Sequence, residues 1–421
     1  MNTADILDDR SACRKRLLAG TVLAVFIIQL LCRLLIFHEP TERFLEQLAH
    51  FPDIDLYFKY ASTILAGNPY AVGECRALRA PGLPLLLAIG HEQPYLLVGM
   101  IASANIVLVY ALGKWLEGRG APRCTALSAM LLAMLDPYSF VLGLVPLSET
   151  PFTFLMLLSL YLGCCWIDRP RTWIAMAMGF VAASAVYVRP SGLAFYGIAW
   201  VIALFATLLV PATSRWQRSR DLLLSATVFV ATMFPWWYRN HQIFGTIVIT
   251  TTNVGESLYD GWNERADGSS NFWFKQNAAE FPTGELDQDR HFRQKAIDWA
   301  IANPARVVEL GGIKFLRFWS LWPNEERLRS WPVVLITTPL TLLIYGAALF
   351  GWGWSVRQSP RLRVTAMATL LPIAIFCVMH LIFVSSVRYR VPLIPLLALW
   401  GGVSVARTIM PTNSGARGVE S

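Results

Sequence analysis

The sequence predicts an all-α polytopic membrane protein with about ten transmembrane helices, roughly 9–12 in all, and two long loops on one face. Three observations carry this reading. Of the 421 residues, 55% are hydrophobic and only 15% are charged, whereas a soluble domain carries about 25% charged residues. The apolar residues gather into runs of roughly 20, the length that crosses a hydrocarbon core. The segments between those runs alternate in charge. Together these features exclude a soluble globular enzyme, a disordered chain and a disulfide-stapled secreted scaffold.

Residues 1–16 are polar and end in Arg14-Lys15-Arg16, a basic flank for the first apolar run, Leu17–Phe37. That run is long and lacks a small-residue cleavage site behind it, so it reads as a first span rather than a signal peptide. Further spans are expected at 94–113, 124–142, 150–167, 173–188, 192–211, 222–238, 332–355, 364–384 and 391–407. The organisation is then a cytoplasmic tail (1–16), one transmembrane domain (17–407) and a second cytoplasmic tail (408–421).

The N-terminal tail, 114–123, 168–171, 215–221, 357–363 and the segment from 407 together hold 17 Lys/Arg and 7 Asp/Glu. The opposite set holds 18 and 21. Short basic loops mark the cytoplasmic face, so the long loops 38–80 and 239–330 fall outside. The net charge of +8 is therefore a topology signal and not a nucleic-acid one. The seven cysteines form no CxxC, which argues against a zinc knuckle or a redox pair. No P-loop and no GxGxxG occurs, which argues against an ATP-driven pump.

In the first long loop, Pro52-Asp53 is a helix start and Gly67-Asn68-Pro69 a stop. Apolar residues at 54, 57, 58, 61, 64 and 65 share one stripe, which predicts an amphipathic helix on the membrane surface. Its first turn carries Asp53 and Asp55. They are two apart, so they point in different directions and do not form a paired site. Arg79-Ala80-Pro81-Gly82-Leu83-Pro84 predicts a stiff non-helical turn presenting Arg79 at the interface. In the second loop, Trp236-Trp237-Tyr238 forms an interfacial belt, and 243–252 is β-rich. Residues 253–263 are turn-rich and polar-aromatic, with Asn253 and Tyr259 suited to sugar binding and equally to an ordinary loop. Residues 285–300 read as a charged helix, and 304–322 as an amphipathic, basic helix with Lys314 and Arg317, either on the surface or as an eleventh span.

Ionisable groups at membrane depth cost about 2.5–3.5 kcal/mol each and are functional candidates by default. Glu149, Asp136, Arg189, His380 and Arg388-Tyr389-Arg390 all sit at outer span ends, as do Asp53, Asp55 and Arg79. Acidic groups and separate arginines on one face suit an anionic, phosphate-bearing substrate entering from the lipid.

The motifs, in order, are Asp53-Ile54-Asp55-Leu56-Tyr57, Arg79 to Pro84, Leu147-Ser148-Glu149-Thr150-Pro151-Phe152, Val188-Arg189-Pro190, Pro235 to Asn240 and Arg388-Tyr389-Arg390-Val391-Pro392. The ordered set resembles the GT-C class of polyprenol-dependent glycosyltransferases. The most similar groups are the bacterial aminoarabinose and lipid A sugar transferases and the protein O-mannosyltransferase-like proteins. The resemblance implies a GT-C-like fold and transfer of a sugar from a polyprenyl-phosphate-linked donor, with inversion. The reaction would take place on the outer face of the bacterial inner membrane. The acceptor would be a glycolipid, a polysaccharide or a protein. Carried over residue by residue, the resemblance assigns the general base to Asp53, with Asp55 as the alternative and Tyr57 one turn on. It assigns the second acidic position to Glu149. Arg79, Arg189 and Arg388 would hold the donor phosphate, with Lys314 as a further candidate. Some members of the class use a divalent metal. His91, Glu92, Glu74, His241 and His291 are candidate ligands here, but none shows a metal-binding spacing such as HExxH, and the metal stays open. A polytopic transporter or lipid flippase is the alternative class. It is disfavoured because the charged motifs sit at span ends and the halves show no repeat.

Overall fold

The structure, a computed structural model, describes residues 16, 17, 19–31, 52–91, 93–209, 211–275 and 281–410. The expected tail before residue 16, residues 32–51 of the first span and first long loop, Glu92, and the expected tail from 411 lie outside the described residues. In chain order the helices are α1 (Ala19–Leu31), α2 (Pro52–Leu65), α3 (Gly82–Ile89), α4 (Pro94–Glu117), α5 (Thr125–Leu135), α6 (Pro137–Leu142), α7 (Glu149–Asp168), α8 (Thr172–Val188), α9 (Gly192–Thr207), α10 (Ala212–Phe244), α11 (Val254–Gly261), α12 (Glu285–Ala302), α13 (Pro304–Phe318), α14 (Trp331–Val356), α15 (Pro360–Ala368), α16 (Leu370–Ile382) and α17 (Ile394–Ile409). A 3₁₀ segment, Val387–Leu393, leads into α17. Among the described residues there is no strand, only a lone bridge between Val72 and Cys75.

Five stretches are long and apolar enough to cross a membrane: α4, α7, α14, Pro360–Ile382 and Val387–Ile409. Helices α1, α5, α8 and α9 are apolar but shorter, and the expected span 222–238 lies inside the 33-residue α10. The expected span 124–142 is broken in two. Pro137 disfavours helical backbone at the residue before it, so Asp136 is extended (ψ 115) and caps α6, its carboxylate accepting from the Ser139 N–H at 2.6 Å.

Small residues set the closest helix approaches. A Cβ on Gly351 of α14 would lie 1.8 Å from the Trp400 carbonyl oxygen of α17, and one on Gly179 of α8 would lie 2.1 Å from Ser225 O of α10. The basic connections meet at one end of the bundle. There Arg119 pairs with Asp168, Trp115 Nε1 donates to the same carboxylate at 2.8 Å, and Gln217 donates to Pro170 O at 3.2 Å. Asp53, Arg79, Glu149, Arg189 and Arg388 gather at the other end.

Helix α2 covers the expected residues and ends before Gly67, whose φ of +67 needs a residue without a Cβ. Its apolar stripe is docked on protein: Ile54 packs with Leu142, Val145 and Leu147, and Ala61 with Leu83 and Leu87 of α3. The expected non-helical turn is shorter than predicted. Helix α3 already starts at Gly82, because Pro84 in a first turn lacks only an N–H that the helix does not use. The expected β-rich segment is also different. Helix α10 runs on to Phe244, and the following chain folds back along it. The indoles of Trp236 and Trp237 donate to Thr250 O (2.7 Å) and Ile249 O (2.8 Å), taking carbonyls that a sheet partner would have used. Residues 254–261, expected as turns, form α11. The helices expected at 285–300 and 304–322 appear as α12 and α13. Tyr259, Phe274, Phe292 and Ala296 form a small aromatic core between α11 and α12.

Candidate active site

Asp53 stands in the first turn of α2. Arg79 lies just before α3, and its position is fixed on both sides. Upstream, the Ala77 N–H donates to Glu285 of α12 at 3.0 Å and Ala77 O accepts from Thr252 N at 3.0 Å. Downstream, Gly82 presses on α8, where a Cβ would meet Tyr187 C at 2.5 Å. From that seat Arg79 Nη2 donates to Asp53 Oδ1 at 2.6 Å. The other Asp53 oxygen accepts from Arg388 Nη2 at 3.4 Å. Arg388 is carried by the 3₁₀ segment, anchored where Val387 N donates to Asn324 Oδ1 at 2.6 Å. Its Nε donates to Glu149 Oε1 at 2.5 Å, and Arg189 Nη1 lies 3.1 Å from that same oxygen. The Arg189 guanidinium sits over the Tyr389 ring at 5.2 Å, and that ring stacks on His380 at 4.5 Å.

Three arginines thus face two carboxylates, leaving one positive charge in surplus. Burial pushes the Asp53 carboxyl up, but Arg79 and then Arg388 outweigh it, and the group is held below the ordinary carboxylate range. Burial pulls the Arg79 guanidinium down, and Tyr57 and Asp53 more than restore it, so it stays charged.

Asp53, Arg79 and Arg388 open onto a cavity of about 1320 Å³. Its charged wall has five basic side chains (Arg79, Lys275, Arg317, Arg327, Arg388) and three acidic ones (Asp53, Glu256, Glu325). Phe140, Val141, Leu142 and Leu144, in and just after α6, face Val333 of α14 to make an apolar flank. Another part of the lining is polar and comes from residues 253–275: Asn253, Ser270, Asn271, Phe272 and the Glu256–Lys275 ion pair at 2.6 Å. Phe272 has φ +44, an outlier for a bulky residue, and its N–H donates to Asp260 Oδ1 at 3.1 Å.

The residues expected at the site divide cleanly. Asp53, Arg79, Arg388 and Asn253 are on the cavity wall. Glu149 is fully buried and stands behind Arg388 with Arg189, so neither reaches the cavity. Tyr57 lies beneath Arg79, its ring centre 5.8 Å from the guanidinium. Asp55 is exposed and outside the cavity lining.

Arg189, expected at the donor phosphate, therefore faces Glu149 instead, and two more expectations need correction. Lys314 is fully buried, and its Nζ donates to Gly261 O and Ile382 O at 2.9 Å each. It ties α11 to the end of α16 and does not meet the cavity. Burial pulls its ammonium down to about 8, against a smaller opposing pull from Asp260. Tyr259 is likewise buried, between Phe274 and Phe292, with its hydroxyl 3.2 Å from Glu264. Sequence reasoning missed Glu256, Lys275, Asn271 and Phe272, which no spacing rule connects.

Among the described residues no group of three or more His, Cys, Asp or Glu side chains is arranged to hold a metal ion. Glu74, His91, His241 and His291 do not gather. Both Asp53 oxygens are engaged by guanidinium groups. Compared with protein-family models and with curated proteins, the chain matches none.

Proposed function

We propose that the protein is a membrane glycosyltransferase with a GT-C-like bundle of about ten spans. It moves a sugar from a polyprenyl-phosphate-linked donor to an acceptor hydroxyl by a single inverting displacement. One observation carries this reading. Arg388 joins the half-buried carboxylate Asp53 to the fully buried carboxylate Glu149 at the wall of a cavity with one apolar and one polar flank.

The donor phosphate meets Arg79 and Arg388 from the cavity side. It competes with Asp53 for the same two guanidinium groups. As Asp53 loses them, the charges holding its proton affinity down are drawn to the phosphate, and it becomes a stronger base when donor is bound. The acceptor O–H gives its proton to Asp53, and its oxygen bonds the anomeric carbon. The bond from that carbon to the phosphate oxygen breaks, and the electron pair leaves with the lipid phosphate, whose charge the arginines meet. Glu149 is a positioning residue: it fixes Arg388 through Nε and leaves the rest of the guanidinium facing the cavity. The apolar flank of α6 and α14 takes the lipid chain. The polar flank, Asn253, Asn271 and Phe272, takes sugar or acceptor.

The reaction side is the outer face of the bacterial inner membrane. The basic connections collected at the far end of the bundle support this orientation. The acceptor is a hydroxyl of a glycolipid, a polysaccharide or a protein. The test uses vesicles containing the protein and a polyprenyl-phosphate sugar labelled in the sugar, with envelope extract as acceptor. Label moves into acceptor with wild-type protein and stays on the donor with Asp53→Asn. Donor crossing the vesicle wall without any covalent product would identify a flippase instead.

A further inference from the structure

At the end of the bundle remote from Arg388, α14 and α17 border a groove of about 550 Å³. Arg357 follows the last turn of α14, and Arg407 lies in the last turn of α17. Both are exposed and both line the groove. Arg407 is held over the Trp354 ring at 4.6 Å. Among the described residues, no carboxylate is ion-paired with either arginine.

The other end of the groove is apolar and open. Leu349 is 71% exposed and Phe350 is 77% exposed. Phe350 and Arg357 are separated by two helical turns, about 10 Å along α14. A basic head and a hydrocarbon-facing flank therefore share one groove at the spacing of a lipid phosphate and its acyl chains. The floor between them is Gly353, where a Cβ would meet nothing within 4 Å.

We propose that this groove binds an acidic phospholipid, with its headgroup phosphate between Arg357 and Arg407 and its acyl chains over Leu349 and Phe350. Two guanidinium groups from different helices suit phosphate oxygens. The bare apolar flank selects a lipid over a free phosphate, which would leave Leu349 and Phe350 uncovered. The site is independent of the catalytic reading, because no residue of the Asp53 cluster contributes to it.

The test reconstitutes the full chain in vesicles of phosphatidylcholine mixed with phosphatidylglycerol. The protein is extracted in mild detergent, and retained lipids are counted by native mass spectrometry. Phosphatidylglycerol is retained in preference to phosphatidylcholine by the wild type. R357Q and R407Q each lower that preference about fivefold, the effect of one basic residue at an anionic surface. G353L fills the floor, keeps both charges and lowers it as well, while its melting temperature in pure phosphatidylcholine stays that of the wild type. Inorganic phosphate added at the same concentration does not displace the lipid. Equal retention in wild type and all three variants would overturn the proposal. So would displacement by inorganic phosphate, which would make the groove a simple anion site.

Discussion

Arg388 donates from Nε to Glu149 at 2.5 Å although 239 residues separate the two in the chain. Glu149 is fully buried. A carboxylate there is tolerated only because Arg388 and Arg189 both face it, since a lone buried ion costs several kcal/mol. The same Arg388 reaches forward to Asp53 at 3.4 Å. One side chain therefore neutralises the interior and presents charge to the cavity.

Asp53→Asn lowers sugar transfer by about 10²–10⁴-fold, the range that a general base supplies, with protein yield unchanged. Asp55→Asn stays within about twofold, as a surface change away from the cavity. Initial rates with labelled donor check both. Equal losses in the two variants would remove the role given to Asp53.

Glu149→Gln leaves Arg388 and Arg189 facing each other without their shared counter-charge. Breaking a buried pair of this kind costs about 3–5 kcal/mol. The melting temperature in detergent falls, and the donor KM rises because Arg388 loses its fixed orientation. A variant with wild-type melting and wild-type KM would show that Glu149 holds nothing in place.

Asp53 is held below its ordinary 3.8 by Arg79 and Arg388 acting against burial. The acid limb of kcat/KM therefore lies below that value in the wild type. In Arg79→Gln, burial is opposed by Arg388 alone, and the limb moves up. The measurement is the position of the limb on the pH axis, not the height of the plateau, which also falls as donor binding weakens.

Much of this architecture was legible because its causes are local. The apolar runs predict α4, α7 and α14, and Pro52-Asp53 with Gly67-Asn68-Pro69 predicts both ends of α2. Charges stranded at span ends predict Asp53, Arg79 and Arg388. What was not legible depends on partners far along the chain. Which of Asp53 and Asp55 meets the cavity is decided by Ile54, which docks on Leu142, Val145 and Leu147 and so fixes which way the first turn faces. Lys314 looked like a phosphate ligand, but two helix ends, Gly261 and Ile382, happen to aim carbonyls at it. The segment after Gly245 has β propensity, and the indoles of α10 claimed its carbonyls first.

Gly82→Ala places a Cβ 2.5 Å from Tyr187 C and 2.7 Å from Val188 N. Both are backbone atoms, so relief requires α3 to move away from α8. Overpacking of this kind costs about 1–3 kcal/mol. Since Arg79 rides on the same segment, transfer weakens together with thermal stability. Gly346→Ala, in open space, is the control and leaves both unchanged.

Lys314 has a proton affinity of about 8 in the folded protein against an ordinary 10.5. Between those values the unfolded chain binds a proton that the native one lacks, so this group makes stability rise with pH across that window. Below about 8 both states are protonated and its contribution is flat. Lys314→Met removes the rise. Melting curves of the two proteins, taken across the alkaline range, give the slope difference directly.

The two arginines that grip Asp53 arrive at very different times during synthesis. Arg79 follows Asp53 by 26 residues, but Arg388 follows it by 335. A nascent chain holds its first membrane segments, α11 to α13 and half of the grip long before α17 leaves the ribosome. Until that span inserts, Glu149 has no Arg388 and the cavity has no second phosphate ligand. Under the proposed reading, protein in which the Val387–Leu393 segment has not yet inserted lacks one of its two phosphate-binding arginines and so cannot hold a donor.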